Sequence, residues 1–169
     1  MIGERKLFEL GFRDAYLTCK ISDTGYEELA TIYPYTDLDY VGPFGEMIYL
    51  RCYFQNEKIK KSFDKKNVVT QKQKRRSNIT YNEEVMGYFL GYPPVAVKDF
   101  VEGVDRTDRA MIEYHGLNFV MKRKNLNRSL RYLRKNMPIP DSIANEYNSK
   151  INLYYLSESR GFELLNQEE

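Results

Sequence analysis

The spacing of the apolar residues changes between the two halves of this chain, and that change constrains the fold more than any other feature. Near the N-terminus Ala15, Leu17, Cys19 and Ile21 alternate with polar or smaller residues, which is typical of a half-buried β-strand. A second alternating run covers residues 47–54. After residue 80 the apolar residues instead recur at intervals of three and four, the period of an amphipathic helix. The sequence therefore predicts an α+β protein.

We expect a single domain, residues 1–169, in which a small N-terminal antiparallel sheet packs against a C-terminal helical half. Residues 1–57 form the predicted β-rich part, and residues 80–169 form the mainly helical part. Residues 58–79 have low hydrophobicity and are predicted to be a basic loop. Within these parts we predict a first strand at 7–12 joined by Arg13 and Asp14 in a hairpin to the strand at 15–22, and helices at 108–115 and 141–157.

Local signals predict where several helices begin and end. Thr80 and Glu83 have the spacing of a capping box, and Gly91 is a natural residue to follow a helix. Two prolines, Pro93 and Pro94, suit the first turn of the next helix. Asn125 is predicted to cap a helix with a stripe of apolar residues, which are Leu126, Leu130, Leu133 and Met137.

Residues 86–100, MGYFLGYPPVAVKDF, resemble two known patterns. One is the helix-turn-helix, with Gly91 at the turn between two amphipathic segments. The other is a GYPP…V…F segment of uncharacterised prokaryotic proteins, a resemblance that implies a structured helix pair and no chemistry. The second helix offers few side chains able to read base edges, which disfavours sequence-specific recognition of DNA.

The net charge of +2 conceals a strong alternation along the chain. Residues 58–76 hold 9 basic and 1 acidic side chains, and residues 122–135 hold 7 basic and none acidic. The remaining parts of the chain are net acidic. Local fields, rather than the total charge, would therefore govern any binding of a polyanion.

The helix predicted after Asn125 has an apolar face and a basic face without a single acidic residue. Neighbouring cations such as Lys124 and Arg128, or Arg128 and Arg131, repel one another, whereas a solvated face normally interleaves both signs. This pattern favours an external anion, and phosphate is a common one. The predicted nucleic-acid-binding residues are Lys72, Lys74, Arg75, Arg76, Lys122, Arg123, Lys124, Arg128, Arg131, Arg134 and Lys135.

The leading hypothesis is a non-catalytic accessory protein that binds nucleic acid, RNA rather than DNA, or associates with ribosomes. A first alternative is a protein-interaction module, viral or regulatory, whose partner presents an acidic surface. The basic face would also suit an anionic membrane surface, or docking against acidic segments of the chain itself, such as residues 102–108.

Evidence for an enzyme is weak in this sequence. The phosphate-binding, dinucleotide-binding and nucleophile-elbow motifs are all missing. A weaker alternative is an enzyme that uses the tyrosine- and aspartate-rich residues 33–40 together with His115, the single histidine. Cys19, Cys52 and His115 lack the spacing of a zinc site, so we expect no metal and no cofactor. We expect a cytoplasmic protein without a transmembrane segment. The two cysteines are expected to be reduced, the N-terminus does not resemble a signal peptide, and no apolar run is long enough to span a membrane.

Overall fold

The computed structural model of the chain describes residues 2–20, 25–42, 44–71, 80–157 and 161–165. Helices and antiparallel sheets are both present, so the α+β class is confirmed. The contacts divide the chain into two compact units: unit 1 comprises Met1–Phe12 and Tyr92–Glu169, and unit 2 comprises Arg13–Gly91. Each unit contains its own sheet.

The elements are numbered here in chain order. The helices are α1 (Glu4–Glu9), α2 (Tyr26–Leu29), α3 (Glu57–Lys66), α4 (Glu83–Phe89), α5 (Pro94–Glu102), α6 (Leu126–Asn136) and α7 (Asp141–Glu146). The strands are β1 (Ala15–Cys19), β2 (Tyr35–Asp37), β3 (Tyr40–Val41), β4 (Met47–Ile48), β5 (Leu50–Phe54), β6 (Arg109–Tyr114), β7 (Leu117–Lys122), β8 (Ile151–Ser157) and β9 (Gly161–Leu165). Short 3₁₀ turns precede β6 at Arg106–Asp108 and α6 at Arg123–Asn125.

Unit 2 is built on a three-stranded antiparallel sheet in the order β1-β5-β2, with β3 and β4 paired separately. In β5 the residues alternate between the two faces, and Phe54 packs against Phe63 of α3 and Phe89 of α4. The centroids of the Phe54 and Phe63 rings lie 5.0 Å apart. The buried Arg13 closes the unit by donating from Nε to the carbonyl oxygen of Leu90 at 2.7 Å. The predicted strands at 15–22 and 47–54 are thus confirmed as β1, β4 and β5, with β1 ending at Cys19.

The opposite face of this sheet carries a buried arginine between aromatic rings. The guanidinium of Arg51 lies 4.4 Å from the centroid of Tyr26 and 3.9 Å from that of Tyr35. Its Nε donates to Oδ1 of Asp37 at 2.7 Å. The charge of Arg51 is therefore balanced within unit 2. Tyr35 and Asp37, which make two of these contacts, belong to the tyrosine- and aspartate-rich residues 33–40.

Unit 1 contains a four-stranded antiparallel sheet in the order β7-β6-β8-β9. In the register of the sheet, Ile112 on β6 lies between Phe119 on β7 and Leu153 on β8. The buried residues Ala110, Ile112 and Tyr114 of β6 form a continuous core with the apolar residues of α6. Burial of this kind contributes roughly 25 cal/mol for each Å² of apolar surface removed from water.

A two-residue turn joins β6 to β7 at His115 and Gly116, and both residues have positive φ angles, 50° and 93°. Such angles match the twist of a hairpin and favour glycine. A Cβ atom at Gly116 would also collide with the carbonyl oxygen of Ile2. The N-terminal residues therefore lie directly on this turn.

Several sequence-based predictions about the elements are wrong. Residues 4–9 form the helix α1 rather than part of a strand at 7–12, so Arg13 and Asp14 do not join two hairpin strands, and β1 pairs with β5. Residues 109–114 form a strand because Ala110, Ile112 and Tyr114 are buried in alternation. The predicted last helix ends at Glu146, and residues 151–157 pair with β6. The part after residue 80 therefore contains a four-stranded sheet in addition to its helices.

Two predicted caps are also wrong, although the helices themselves form. Asn82 rather than Thr80 caps α4, because its side-chain oxygen accepts from the N–H groups of Glu84 and Val85 at 3.1 Å. The hydroxyl of Thr80 donates instead to the carbonyl oxygen of Leu38. Asn125 precedes α6 but makes no capping bond with its side chain. The predicted helix start at Pro94 is confirmed. Gly91 follows the end of α4 as predicted, and its φ angle is 80°.

Candidate nucleic-acid interface

The basic helix predicted from the sequence is α6. Its apolar stripe is buried, with Leu126, Leu130 and Leu133 at most 5% exposed. Beyond its C-terminus the hydroxyl of Tyr114 donates to the carbonyl oxygen of Met137 at 2.9 Å. Because one face of α6 is fixed to the core of unit 1, the opposite face must point outward.

Besides Arg123, the outward face of α6 and the turn before it hold five exposed cations. None of them forms an ion pair with a carboxylate in the part of the chain that the structure describes. Arg131 donates weakly to the carbonyl oxygen of Asn127, at 3.4 Å. The charge of this face is therefore left without a described counter-charge. The five residues, called here the α6 basic face, are Lys124, Arg128, Arg131, Arg134 and Lys135.

The position of Arg128 is unfavourable for the helix itself. It lies in the first turn of α6, where the helix dipole favours acidic side chains, and this turn contains none. Its neighbours at a helical spacing, Lys124 and Arg131, are also cations. By contrast, Arg134 and Lys135 lie in the last turn, where the dipole stabilises positive charge. Arg128 is thus the cation of this face whose placement the fold explains least.

Part of the α6 basic face borders an open groove of about 440 Å³ between the start of α5 and the side of α6. Such a volume falls within the roughly 300–1,000 Å³ of small-molecule sites. One side is apolar and the other is cationic, and no acidic residue is among those described along the groove. The lining residues are Pro93, Pro94, Val95, Arg128, Arg131, Tyr132, Lys135 and Asn136.

The groove depends on a buried carboxylate that fixes α5 beside α6. Asp99 of α5 is 3% exposed and accepts from the backbone N–H of Lys122 at 3.0 Å. It also accepts from the side-chain amide of Asn125 at 2.7 Å. Since Asn125 immediately precedes α6, these bonds hold the two helices in register. The sequence analysis missed this role because nothing local links residue 99 with residue 125.

Two residues of the predicted set are used within the protein. Nζ of Lys122 lies 3.3 Å from Oε2 of Glu102 and 3.6 Å from Oδ1 of Asp99. The hydrogen bond to Glu102, together with the charge of Asp99, raises the pKa of Lys122. The guanidinium of Arg123 lies 5.0 Å from the ring centroid of Tyr155. The α6 basic face is therefore defined without these two residues: the charge of Lys122 is already paired with carboxylates, and the guanidinium of Arg123 packs on an aromatic ring.

The predicted basic loop at 58–79 begins as a helix. Residues 57–66 form α3, capped by Asn56, whose side chain accepts from the N–H of Ile59 at 3.0 Å. Phe63 anchors this helix in the aromatic core of unit 2, which the low hydrophobicity of the segment concealed. Lys58, Lys61 and Lys65 follow one another along an exposed side of α3. The predicted residues Lys72, Lys74, Arg75 and Arg76 lie outside the described residues.

The residues of the weaker enzymatic alternative belong to different units. His115 in unit 1 is buried, and its Nδ1 lies 3.0 Å from Oγ of Ser149. Burial lowers the pKa of His115, with the charge of Asp141 opposing that shift. In unit 2, Tyr35 and Asp37 contact Arg51. Each group thus has a structural partner in its own unit.

Metal-binding clusters are not found among the described residues, where no three His, Cys, Asp or Glu side chains are grouped to hold an ion. No disulfide joins Cys19 and Cys52. The described helices are too short and too polar to cross a membrane. Comparisons of the chain with protein-family models, with curated proteins and with solved structures found no match.

Proposed function

We propose that this protein is a non-catalytic nucleic-acid-binding accessory protein whose α6 basic face binds phosphates, with RNA as the expected target. The observation that carries this proposal is the set of five exposed cations without a described counter-charge. Polyanions gain affinity on such a surface because neutralised phosphates release condensed counterions.

The unfavourable position of Arg128 in α6 supports the proposal. Arg128 near the positive end of the helix dipole, beside two further cations, is unfavourable by about 0.3–1 kcal/mol from the dipole alone. An acidic residue there would stabilise the helix. An arginine at this position is explained if an external anion provides the opposite charge.

Lys72, Lys74, Arg75 and Arg76 remain predicted contributors to the same function. In the sequence they follow Lys65, an exposed lysine of α3, by 7 to 11 positions. Reversing the charge of these four residues together should weaken binding if the segment contacts phosphate.

The decisive experiment compares two double variants of equal charge change. Arg131→Glu with Arg134→Glu removes cations from the α6 basic face, whereas Lys20→Glu with Lys150→Glu changes exposed lysines elsewhere. Affinity for labelled RNA and DNA strands is measured by fluorescence anisotropy over a series of salt concentrations. The first variant should bind at least about tenfold more weakly, and its plot of log K against log salt should be less steep by about 1.4, or about 0.7 for each lost contact to a single strand.

Equal affinity of the two variants would overturn the proposal. So would retention of a stoichiometric acidic protein after nuclease treatment, if that retention alone depended on Arg131 and Arg134. The second result would identify an acidic protein surface as the partner of the α6 basic face.

A further inference from the structure

We propose, on the basis of the proposed function, that the groove beside α6 binds an unpaired nucleotide, so that the protein prefers single-stranded to double-stranded nucleic acid. The groove brings an apolar wall, an aromatic side chain and three cations within one open site. A uniformly charged surface would bind any polyanion, whereas this combination fits a base together with its adjoining phosphates.

The apolar wall comes from the start of α5. Pro93 and Pro94 carry no N–H group, and the N–H groups of Ala96 and Val97 are already bonded to the carbonyl oxygen of Pro93 at 2.9 and 3.0 Å. This helix start therefore provides little that could bind a phosphate. Pro93 is itself buried, so the exposed ring of Pro94 and the half-buried Val95 offer the surface suited to the flat face of a base or to a ribose.

Tyr132 adds an aromatic ring to the same groove. It is half-buried in the middle of α6, between the cations Arg131 and Arg134 and next to the apolar residue Leu133. Aromatic rings bind unpaired bases by stacking, without regard to sequence, because every base presents a π-face. In a duplex both faces of a base are covered by its neighbours, so this contact is available only to a single strand.

The cations of the groove follow one line along the helix. Arg128, Arg131 and Lys135 are separated by three and four residues, and with a rise of 1.5 Å per residue they span about 10 Å of the axis. This length accommodates more than one phosphate of a strand that passes over the groove. The base of one nucleotide would lie between Tyr132 and the apolar side of the groove, and the flanking phosphates would contact the cations.

The test uses four probes and two substitutions at one position. The first probe is a single-stranded oligonucleotide of about ten residues, made both as RNA and as DNA. The second is the same strand with abasic positions, and the third is its duplex. The fourth is heparin, a polyanion without bases. Tyr132→Ala removes the ring, and Tyr132→Phe keeps it. Thermal unfolding of each variant reports whether the fold is retained.

We expect the wild-type protein to bind the single strand at least about tenfold more tightly than the duplex or the abasic strand at equal salt. Tyr132→Ala should lower single-strand affinity by about 5- to 150-fold, the range for the loss of one stacked base. Its affinities for duplex and heparin should change less than about twofold. Tyr132→Phe should bind all probes as the wild type does.

Equal affinity of the wild type for the abasic and the intact strand overturns this inference, even if Tyr132→Ala fails to fold. Equal losses for single strand, duplex and heparin in a folded Tyr132→Ala variant overturn it as well. In both cases the proposed function is still supported if nucleic-acid binding depends on Arg131 and Arg134. Absence of binding to every probe by the wild type overturns both proposals.

Discussion

The buried carboxylate of Asp99 on α5 accepts a hydrogen bond from the side-chain amide of Asn125 at 2.7 Å. This bond, with a second from the backbone N–H of Lys122, places the start of α6 against α5. The side chain of Asp99 therefore links the two helices that border the groove. Its removal offers a direct test of how the candidate site is held.

Asp99→Ala should lower the free energy of unfolding by about 2–4 kcal/mol, because two partly buried donors lose a buried, charged acceptor. Glu102→Ala is the matched control: its carboxylate also contacts Lys122 but is largely exposed, so about 0–1 kcal/mol is expected. Denaturation by urea measures both values. A similar small cost for the two variants would show that Asp99 does not hold α5 beside α6.

Arg128→Glu should change stability and binding in opposite directions. A carboxylate in the first turn of α6 complements the helix dipole and relieves repulsion with Lys124 and Arg131, so the free energy of unfolding should rise by about 0.5–1 kcal/mol. Affinity for nucleic acid should fall at least about tenfold, since a charge-assisted bond is lost.

Lys135→Glu is the control for this trade-off. It lies in the last turn of the same helix, where the dipole favours a cation, so this variant should lose both stability and affinity. If Arg128→Glu destabilises the protein as Lys135→Glu does, the Arg128 side chain has a packing role that the dipole argument omits.

His115 should titrate below its ordinary pKa of about 6.5, because burial disfavours the imidazolium. Its contribution to stability is then complete above pH 6.5 and is lost as the pH falls through the lower pKa of the folded state. The chain contains one histidine, so a single imidazole resonance in a proton NMR titration reports the value. A midpoint at or above 6.5 would contradict the prediction.

His115→Asn separates this titration from the turn geometry. Asparagine tolerates the φ of 50° at this position and forms with Gly116 a pair that favours tight hairpins. The variant should fold at neutral pH and should lack the part of the acid-induced destabilisation that is due to the imidazole.

Tyr26 should make unit 2 sensitive to alkaline pH. Burial raises the pKa of Tyr26 to about 12, although the charge of Arg51 acts in the opposite direction. The neutral phenol is favoured in the folded state, so its contribution is complete below pH 10 and is lost as the pH rises towards 12. Between pH 9 and pH 11 the wild type should lose about 1 kcal/mol more stability than Tyr26→Phe. Tyr49→Phe, at an exposed position, should follow the wild type.

The strands and helices that were predicted correctly have local causes. The alternation in β1 and β5 and the leucine stripe of α6 are periodic in the sequence, so they could be recognised without knowledge of the partners. The strand β6 was missed because Thr107, a residue type suited to cap a helix, and Gly116, suited to follow one, outweighed the alternation of Ala110, Ile112 and Tyr114. Burial of that alternation depends on β7 and β8, which follow later in the chain.

By itself, the sequence determined that cations collect on one side of α6, since helical periodicity is a property of consecutive residues. Tertiary structure decided which cations have partners within the protein: it pairs Lys122 with Glu102 and brings Arg123 to Tyr155. It also created the groove, because Pro93 and Tyr132 are adjacent only once Asp99 has fixed α5 to the start of α6. Contacts between distant residues follow from burial and hydrogen bonding in the folded chain, and no local pattern specifies them.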